Sequence, residues 1–379
     1  MNLFNVYPLF NINPVKAQGS FLWDDKGEKY LDFYGGHAVI SIGHNHPHYQ
    51  TQLKNQLDKI SFYSNSVQNE LQTELADKLG KLSGLEDYNL FLCNSGAEAN
   101  ENALKLASFH NGKSKVLYFS GAFHGRTSAA VSVTDNPKIV APVNYDERFI
   151  KSEWNNIEQL QAVFEKQGSE ISSVIIEGIQ GVGGLMIPTV EFLTKIKELC
   201  GKYDVVLILD EVQSGYGRSG YFFAHQEFGI ESDIITTAKG MGNGFPIGGV
   251  LIHPKFKASN GLLGTTFGGN HLACVAAIAV LDVMKDENLI ENAHKMGEYI
   301  ENEIKDFPHI KTIRRKGLMI GIELDRDCSE VRNSLLYDHH IFTGNSNDKA
   351  VLRILPALNI KKEETALFIG ALKTVLENL

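Results

Sequence analysis

An acidic residue and a lysine each follow a short apolar run, and their types and order suggest cofactor chemistry. Asp210 follows the run 205–209, and Lys239 comes shortly after the run 234–237. Either residue alone is explained otherwise, Asp210 as a metal ligand or Walker-B acid and Lys239 as a solvated lysine. Together they fit pyridoxal phosphate (PLP), whose aldehyde bonds to a lysine amine and whose ring nitrogen pairs with a carboxylate. No G-x-x-x-x-G-K-[ST] motif accompanies them, which disfavours nucleotide hydrolysis.

The elements that must position these two residues alternate along the chain. Short runs rich in β-branched and aromatic residues predict strands buried on both faces, at 116–119, 174–176, 205–209 and 234–237. Helical patterns intervene, for example at 97–110 and 190–202. Such alternation predicts a parallel sheet, and ligands of open α/β sheets bind at the carboxyl ends of the strands.

The later part of the chain has a different pattern. A long helical region extends from about 272 to 305, and strand-like runs follow at 312–324 and 351–360 before a final helix. We therefore predict an α/β fold, with a large domain around a mostly parallel sheet and a small C-terminal α+β domain. We expect residues 1–45 to pack on the small domain, 46–275 to form the large PLP-binding domain and 276–379 to form the small one.

Composition narrows the class of protein. The chain has 379 residues, 43% of them hydrophobic, and 36 Lys+Arg against 45 Asp+Glu, for a net charge of −9. We do not expect nucleic acid as a partner, because phosphate binding needs a basic surface. The chain has no signal-like N-terminus and no membrane-length apolar stretch, so we expect no membrane partner and a soluble, cytoplasmic protein. The 35 glycines gather at strand ends, where backbone can approach a ligand closely.

Two further patterns concern metals and thiols. The four cysteines lie far apart without a C-x-x-C pair, so we expect free thiols rather than a zinc site or disulfides. His44, His46 and His48 alternate as metal ligands on a strand would, but Pro47 interrupts the strand and no carboxylate or cysteine is near in sequence. We expect no metal.

The segments around Asp210 and Lys239 resemble the class III (subgroup II) PLP-dependent aminotransferases, and within them the acetylornithine/succinylornithine aminotransferase branch. The resemblance is carried by 210–220, DEVQSGYGRSG, and 239–249, KGMGNGFPIGG. It covers nearly the whole chain through shorter motifs in the same order: Gly43–Pro47, Asn94–Asn100, Phe123–Thr127, Thr265–Asn270 and Leu352–Pro356. It implies PLP as the cofactor and the PLP-dependent transferase fold of type I.

The resemblance also implies roles for the residues that contact the cofactor. Lys239 would bond to PLP and later move the proton, and Asp210 would pair with the ring nitrogen. Ser95, Gly96 and Ala97 begin a helix whose free N–H groups would bind the phosphate, although Ser95 and Glu98 also fit a helix cap. Phe123 would stack on the ring and Gln213 would bond to its phenolic oxygen. Thr266 would reach the phosphate bound by the other subunit, which implies a homodimer with shared active sites.

The implied reaction transfers the δ-amino group of an N²-acylornithine, acetyl or succinyl, to 2-oxoglutarate in arginine biosynthesis. The products would be an N-acyl-glutamate 5-semialdehyde and glutamate. Arg126 and Arg353 would bind substrate carboxylates through paired N–H groups, with Glu177 beside them. Ornithine, GABA or a lysine-pathway ω-amine are alternative substrates. A catalytically silent binding protein of the same fold is the alternative from another class, and the presence of Lys239 argues against it.

The chain departs from this pattern at two positions near the substrate. Relatives have a second glutamate that neutralises the arginine corresponding to Arg353, whereas this chain has Val182. Arg353 therefore needs another partner, and we expect weaker discrimination against α-amino acids or a re-oriented substrate. His37 replaces the usual Ile or Tyr; it would hydrogen-bond to the acyl group, or else simply pack beside Tyr34.

Overall fold

The computed structural model describes residues 1–379 and contains three β-sheets. The strands are β1 (Pro14–Gln18), β2 (Phe21–Asp24), β3 (Lys29–Asp32), β4 (Asn89–Cys93), β5 (Lys115–Phe119), β6 (Phe149–Ser152), β7 (Ile171–Glu177), β8 (Val206–Asp210), β9 (Ile234–Thr237), β10 (Gly248–Ile252), β11 (Ile310–Lys316), β12 (Met319–Leu324), β13 (Ile341–Phe342), β14 (Gly344–Asn345) and β15 (Val351–Ile354). The α-helices are α1 (Gly35–Ala38), α2 (Pro47–Leu57), α3 (Glu70–Ser83), α4 (Gly96–Asn111), α5 (Ser128–Ser132), α6 (Ile157–Gln167), α7 (Val190–Tyr203), α8 (His271–Asp286), α9 (Leu289–Ile304), α10 (Ser329–Tyr337) and α11 (Lys362–Glu377).

The central sheet has seven strands in the order β4-β10-β9-β8-β7-β5-β6. Strands β5 to β9 pair in parallel, and only β10 runs antiparallel to its neighbours. Every residue of β7, β8 and β9 is buried, as the continuous apolar runs predicted. The prediction of a mostly parallel sheet is confirmed.

Alternate residues of the central strands pack on opposite faces of this sheet. Leu207 joins an apolar cluster with α6 and α7, whereas the adjacent Ile208 joins one with α4. Helices therefore cover both faces, and ligands of such sheets bind at the edge where the parallel strands end. That edge carries Glu177, at the end of β7, and Asp210, at the end of β8.

The two smaller sheets connect the ends of the chain. Strands β11, β12, β15 and β14 form an antiparallel sheet, which agrees with the predicted smaller α+β region. Strand β3, near the N-terminus, pairs in parallel with β13, so the N-terminal segment lies against the C-terminal region. The domain boundaries at 45 and 275 remain a proposal. No helix in the structure is both long enough and apolar enough to cross a membrane.

Two predicted elements differ from the observed ones. The helical region 272–305 is two helices, α8 and α9, because the chain turns at Asn288, whose φ is +51°. The run 351–360 continues as a strand only to Ile354. Pro356 follows soon after and has no N–H to donate to a neighbouring strand, which explains the early end.

Candidate active site

A cavity of about 390 Å³ lies at the carboxyl ends of the central strands. It brings together nine of the predicted site residues: Ser95, Gly96, Ala97, Phe123, Arg126, Glu177, Asp210, Gln213 and Lys239. They come from four strand ends and the start of α4, which meet because parallel strands end at one edge. Val182, at the position where the resemblance implies a second glutamate, also lines the cavity.

Asp210 is almost completely buried, with 4% of its surface exposed, and its carboxylate is held by three donors. Its Oδ2 lies 2.8 Å from the amide Nδ2 of Asn100 and 2.7 Å from Nδ1 of His124. Its Oδ1 accepts the N–H of Val212 at 3.0 Å. A buried carboxylate with this many partners keeps its orientation, so one oxygen can face a positively charged ring nitrogen in the cavity.

The two side chains that hold Asp210 were not predicted from the sequence. Asn100 donates also to the backbone oxygen of His124 at 2.7 Å and accepts from the Thr236 hydroxyl at 2.6 Å. The Nε2 atom of His124 is buried without a partner. Both residues lie inside the motifs Asn94–Asn100 and Phe123–Thr127, which was the available signal, but their contacts with Asp210 join segments far apart in the chain.

Lys239 follows β9 with a φ of +42°, and its amine lines the cavity. Desolvation lowers the pKa of this amine, and the positive charge of Arg353 lowers it further, while the carboxylates of Asp210 and Glu177 act in the opposite direction. A lowered pKa increases the fraction of neutral amine, the form that attacks an aldehyde. The geometry therefore suits a lysine that bonds covalently to a cofactor.

The first turn of α4 offers a binding site for a phosphate group. Ser95 caps the helix by accepting the N–H of Glu98 at 3.1 Å, and Glu98 accepts the N–H of Asn94 at 2.6 Å. The N–H groups of Gly96 and Ala97 face the cavity end of the helix and have no intrahelical acceptor. Gly96 is required here, because a Cβ atom would lie 2.6 Å from Cγ1 of Val212.

Glu177 closes one side of the cavity and is buried. Its Oε1 accepts the N–H of Phe123 at 3.0 Å and its Oε2 the N–H of Gly181 at 2.9 Å. Desolvation raises the pKa of Glu177 to about 7, although His124 and these hydrogen bonds act in the opposite direction. Both carboxylate oxygens are thus engaged by backbone, which fixes Phe123 at the cavity wall.

Arg353 lies behind Gln213, buried, and forms no ion pair with a carboxylate. Its Nε donates to the backbone oxygen of Asn345, its Nη1 to Oε1 of Gln213 at 3.4 Å and its Nη2 to the hydroxyl of Tyr34 at 3.1 Å. The expectation that Arg353 needs a partner other than a glutamate at 182 is met by these uncharged groups. Desolvation lowers the pKa of the guanidinium.

Arg353, His37 and Thr266 are the predicted site residues that do not line the cavity. Nδ1 of His37 lies 2.5 Å from the hydroxyl of Tyr34, so the alternative of packing beside Tyr34 is the arrangement observed. Contact of His37 with an acyl group remains a prediction. Thr266 is exposed on the surface of this chain, and its predicted role at a second subunit's cofactor also remains a prediction.

The cavity fits PLP on the evidence of its own groups. Its lining includes a buried carboxylate, a lysine with a lowered pKa and the start of a helix whose first N–H groups have no intrahelical acceptor. These match the ring nitrogen, the aldehyde and the phosphate of PLP.

Comparison with known proteins decides the family. The model of the family "Aminotransferase class-III" matches residues 5–376. The chain belongs to the class-III aminotransferases. It is therefore an aminotransferase, and enzymes of this class depend on PLP.

Individual class-III aminotransferases resemble the chain over almost its whole length. The acetylornithine aminotransferase of Methanothermobacter thermautotrophicus is 40% identical over 370 residues, which cover 96% of this chain and 93% of that protein. That of Bacillus subtilis is 38% identical, covering 99% and 97%. The structure of the ornithine aminotransferase of Toxoplasma gondii ME49 superposes with a TM-score of 0.90 at 28% identity, covering 98% and 93%. The predicted type I fold is thereby confirmed.

Proposed function

We propose that this aminotransferase moves the δ-amino group of an N²-acylornithine to 2-oxoglutarate. The products are an N-acyl-glutamate 5-semialdehyde and glutamate, a step of arginine biosynthesis. The observation that carries the proposal is a pair of arginines, of which Arg126 lines the cavity and Arg353 is hydrogen-bonded to Gln213, a residue that lines it. Arg126 is exposed where it lines the cavity, and Arg353 is buried behind Gln213, so two carboxylates can be held in different places. The acetylornithine aminotransferases cited above support the choice of donor.

The cofactor-binding residues have separate tasks in this proposal. When bound, PLP accepts the electron pair that is released as the substrate loses a proton. Asp210 keeps the ring nitrogen protonated, and Asn100 and His124 hold Asp210 in position. Lys239 would hold the cofactor through its amine and would move the proton at the substrate carbon, for which its lowered pKa suits it. The N–H groups of Gly96 and Ala97 would hold the phosphate, Phe123 would cover the ring, and Gln213 would bond to the phenolic oxygen.

We also propose that the enzyme is a homodimer with shared active sites. Thr266 is exposed and lies outside the cavity of its own chain. The adjacent Phe267 is 60% exposed and packs against Phe62, with ring centroids 5.3 Å apart. An exposed apolar surface of this kind favours burial against a second copy, which would bring Thr266 to the neighbouring cofactor.

The proposed donor is tested with a panel of amines. N-acetylornithine, N-succinylornithine, ornithine and GABA are each supplied with 2-oxoglutarate, and kcat/KM is compared. We expect one of the two acylornithines to exceed ornithine and GABA at least tenfold, about 1.4 kcal/mol of transition-state stabilisation. A higher value for ornithine or GABA would reject the acylornithine proposal while leaving the aminotransferase class intact.

A further inference from the structure

The buried guanidinium of Arg353 has an unusual set of partners for a positive charge. Only 3% of the residue is exposed, yet its acceptors are a backbone oxygen, the amide of Gln213 and the hydroxyl of Tyr34. Buried charges are normally paired with an opposite charge. Glu177 is near enough to affect the pKa of Arg353 but makes no ion pair with it, and each of its two oxygens accepts a backbone N–H.

Tyr34 and His37 form a hydrogen-bonded pair in front of this arginine. The Tyr34 hydroxyl accepts from Nη2 of Arg353, so its own proton is available to Nδ1 of His37, 2.5 Å away. That arrangement needs a neutral imidazole. Desolvation lowers the pKa of His37, as do the positive charges of Arg353, Lys239 and Arg332, and the neutral form is therefore favoured near pH 7.

The backbone that carries His37 is held in a conformation that L-residues rarely adopt. His37 has a φ of +69° and Ala38 a φ of +64°, after two glycines that also have positive φ. Such conformations persist where the surroundings determine them, and they cluster at ligand-binding sites. Here they hold the imidazole against the Tyr34 ring, with ring centroids 4.7 Å apart.

Val182 is hydrogen-bonded to the segment that holds Arg353. Its backbone oxygen accepts the N–H of Asn347 at 2.9 Å, two residues from the Asn345 oxygen that binds Arg353, and its side chain lines the cavity. A carboxylate at position 182 would place a negative charge in this part of the cavity lining, whereas valine leaves the guanidinium with uncharged acceptors.

We propose that Tyr34 and His37 set the substrate specificity of the site by giving Arg353 an uncharged acceptor in place of a carboxylate. This rests on the proposed function, in which Arg353 binds the carboxylate of the 2-oxo acid. A substrate carboxylate then meets no competing anion at Arg353 in either half of the reaction. The site accordingly takes α-amino dicarboxylates as donors in direct competition with ω-amines.

The test measures binding of glutarate to the PLP-loaded enzyme by calorimetry. Glutarate is a five-carbon dicarboxylate without an oxo or amino group, so it reports on carboxylate binding without reaction. Val182→Glu should weaken its binding about tenfold or more, because the new carboxylate competes for Arg353. Tyr34→Phe should weaken it about tenfold, because the guanidinium loses the hydroxyl that orients it.

His37 is tested with a pair of variants of matched size. His37→Leu removes the acceptor of the Tyr34 proton and should weaken glutarate binding severalfold, while His37→Asn supplies an acceptor oxygen and should recover most of it. In steady state, Tyr34→Phe should raise KM for 2-oxoglutarate more than it lowers kcat. Tyr34→Phe should also reduce kcat/KM for glutamate more than kcat/KM for 5-aminopentanoate. The latter is an ω-amine whose carboxylate is remote from the reacting carbon. Tyr221→Phe, at an exposed tyrosine outside the cavity, is the control.

Each outcome points to one conclusion. Glutarate affinities of Val182→Glu and Tyr34→Phe within twofold of the wild type would overturn the specificity role, even if both enzymes use 2-oxoglutarate. If Tyr34→Phe lowered kcat and the affinity for all substrates equally, Tyr34 would have only a structural role, and the proposed specificity role would be overturned as well. A wild-type enzyme that neither binds glutarate nor uses 2-oxoglutarate would instead reject the proposed function, and this proposal with it.

Discussion

Hydrogen bonds from Asn100, His124 and the Val212 N–H hold the carboxylate of Asp210 in position. Asp210→Asn keeps the shape of the side chain but removes the charge that stabilises a protonated ring. We expect kcat to fall about 10²- to 10³-fold, the range for loss of one preorganised electrostatic partner. The measurement is turnover with 2-oxoglutarate at saturating PLP, and retention of more than a tenth of the activity would contradict the assigned role.

Glu177 provides a second prediction at this scale, for the protein without cofactor. Its pKa is raised from 4.5 to about 7, so between these values the folded state binds more protons than the unfolded state. The free energy of unfolding therefore falls as pH rises through this window, by about 3 kcal/mol at most. Urea unfolding near both ends of the window measures the change, and Glu177→Gln should flatten it. An equal slope in the variant would show that other groups cause it.

Among the secondary-structure elements, the N-terminus of α4 is the one that we expect to bind the cofactor phosphate. Gly96→Ala places a Cβ atom 2.6 Å from Cγ1 of Val212, which pushes the helix N-terminus away from the phosphate. We expect PLP to bind about tenfold more weakly, or about 1.4 kcal/mol, measured by fluorescence titration of the cofactor-free protein. Gly96→Ala combined with Val212→Ala should recover part of the affinity, since the clash is removed. If the affinity did not recover, the effect of Gly96→Ala would come from the backbone conformation and not from a steric clash with Val212.

Strands and helices that are each marked by a single local sequence pattern were predicted correctly. The observed β9 has the predicted bounds, and α4 and α7 extend the predicted helices by one or two residues. Prediction failed at α8 and α9, where the apolar spacing continues across the left-handed residue Asn288. The spacing of apolar residues indicates which face of a helix is buried. A single turn residue within a long periodic stretch does not interrupt that spacing.

Exposed apolar residues near Thr266 are the surface through which we expect two chains to associate. Phe267, next to Thr266, is exposed and packs against Phe62, and Ile60, Tyr63 and Val67, close to Phe62 in the sequence, are exposed as well. We expect the enzyme to have twice the mass of its 42.0 kDa chain by light scattering. Phe267→Asp should shift it toward the monomer and lower PLP retention, because a charge would be buried in the interface. Leu367→Asp, at an exposed residue of α11, is the control, and an unchanged mass in Phe267→Asp would reject this interface.

Local sequence patterns were enough to predict the mostly parallel sheet and the position of Asp210 and Lys239 where its strands end. These follow from short apolar runs and from residues placed directly at strand ends, both of which are local patterns. Only the tertiary structure decided what surrounds them. Arg353 meets Tyr34 across 319 residues of chain, and Asp210 meets Asn100 across 110. Such contacts depend on how whole elements pack, so no local pattern encodes them, and they are what fixes the charge and orientation of the groups that face the substrate.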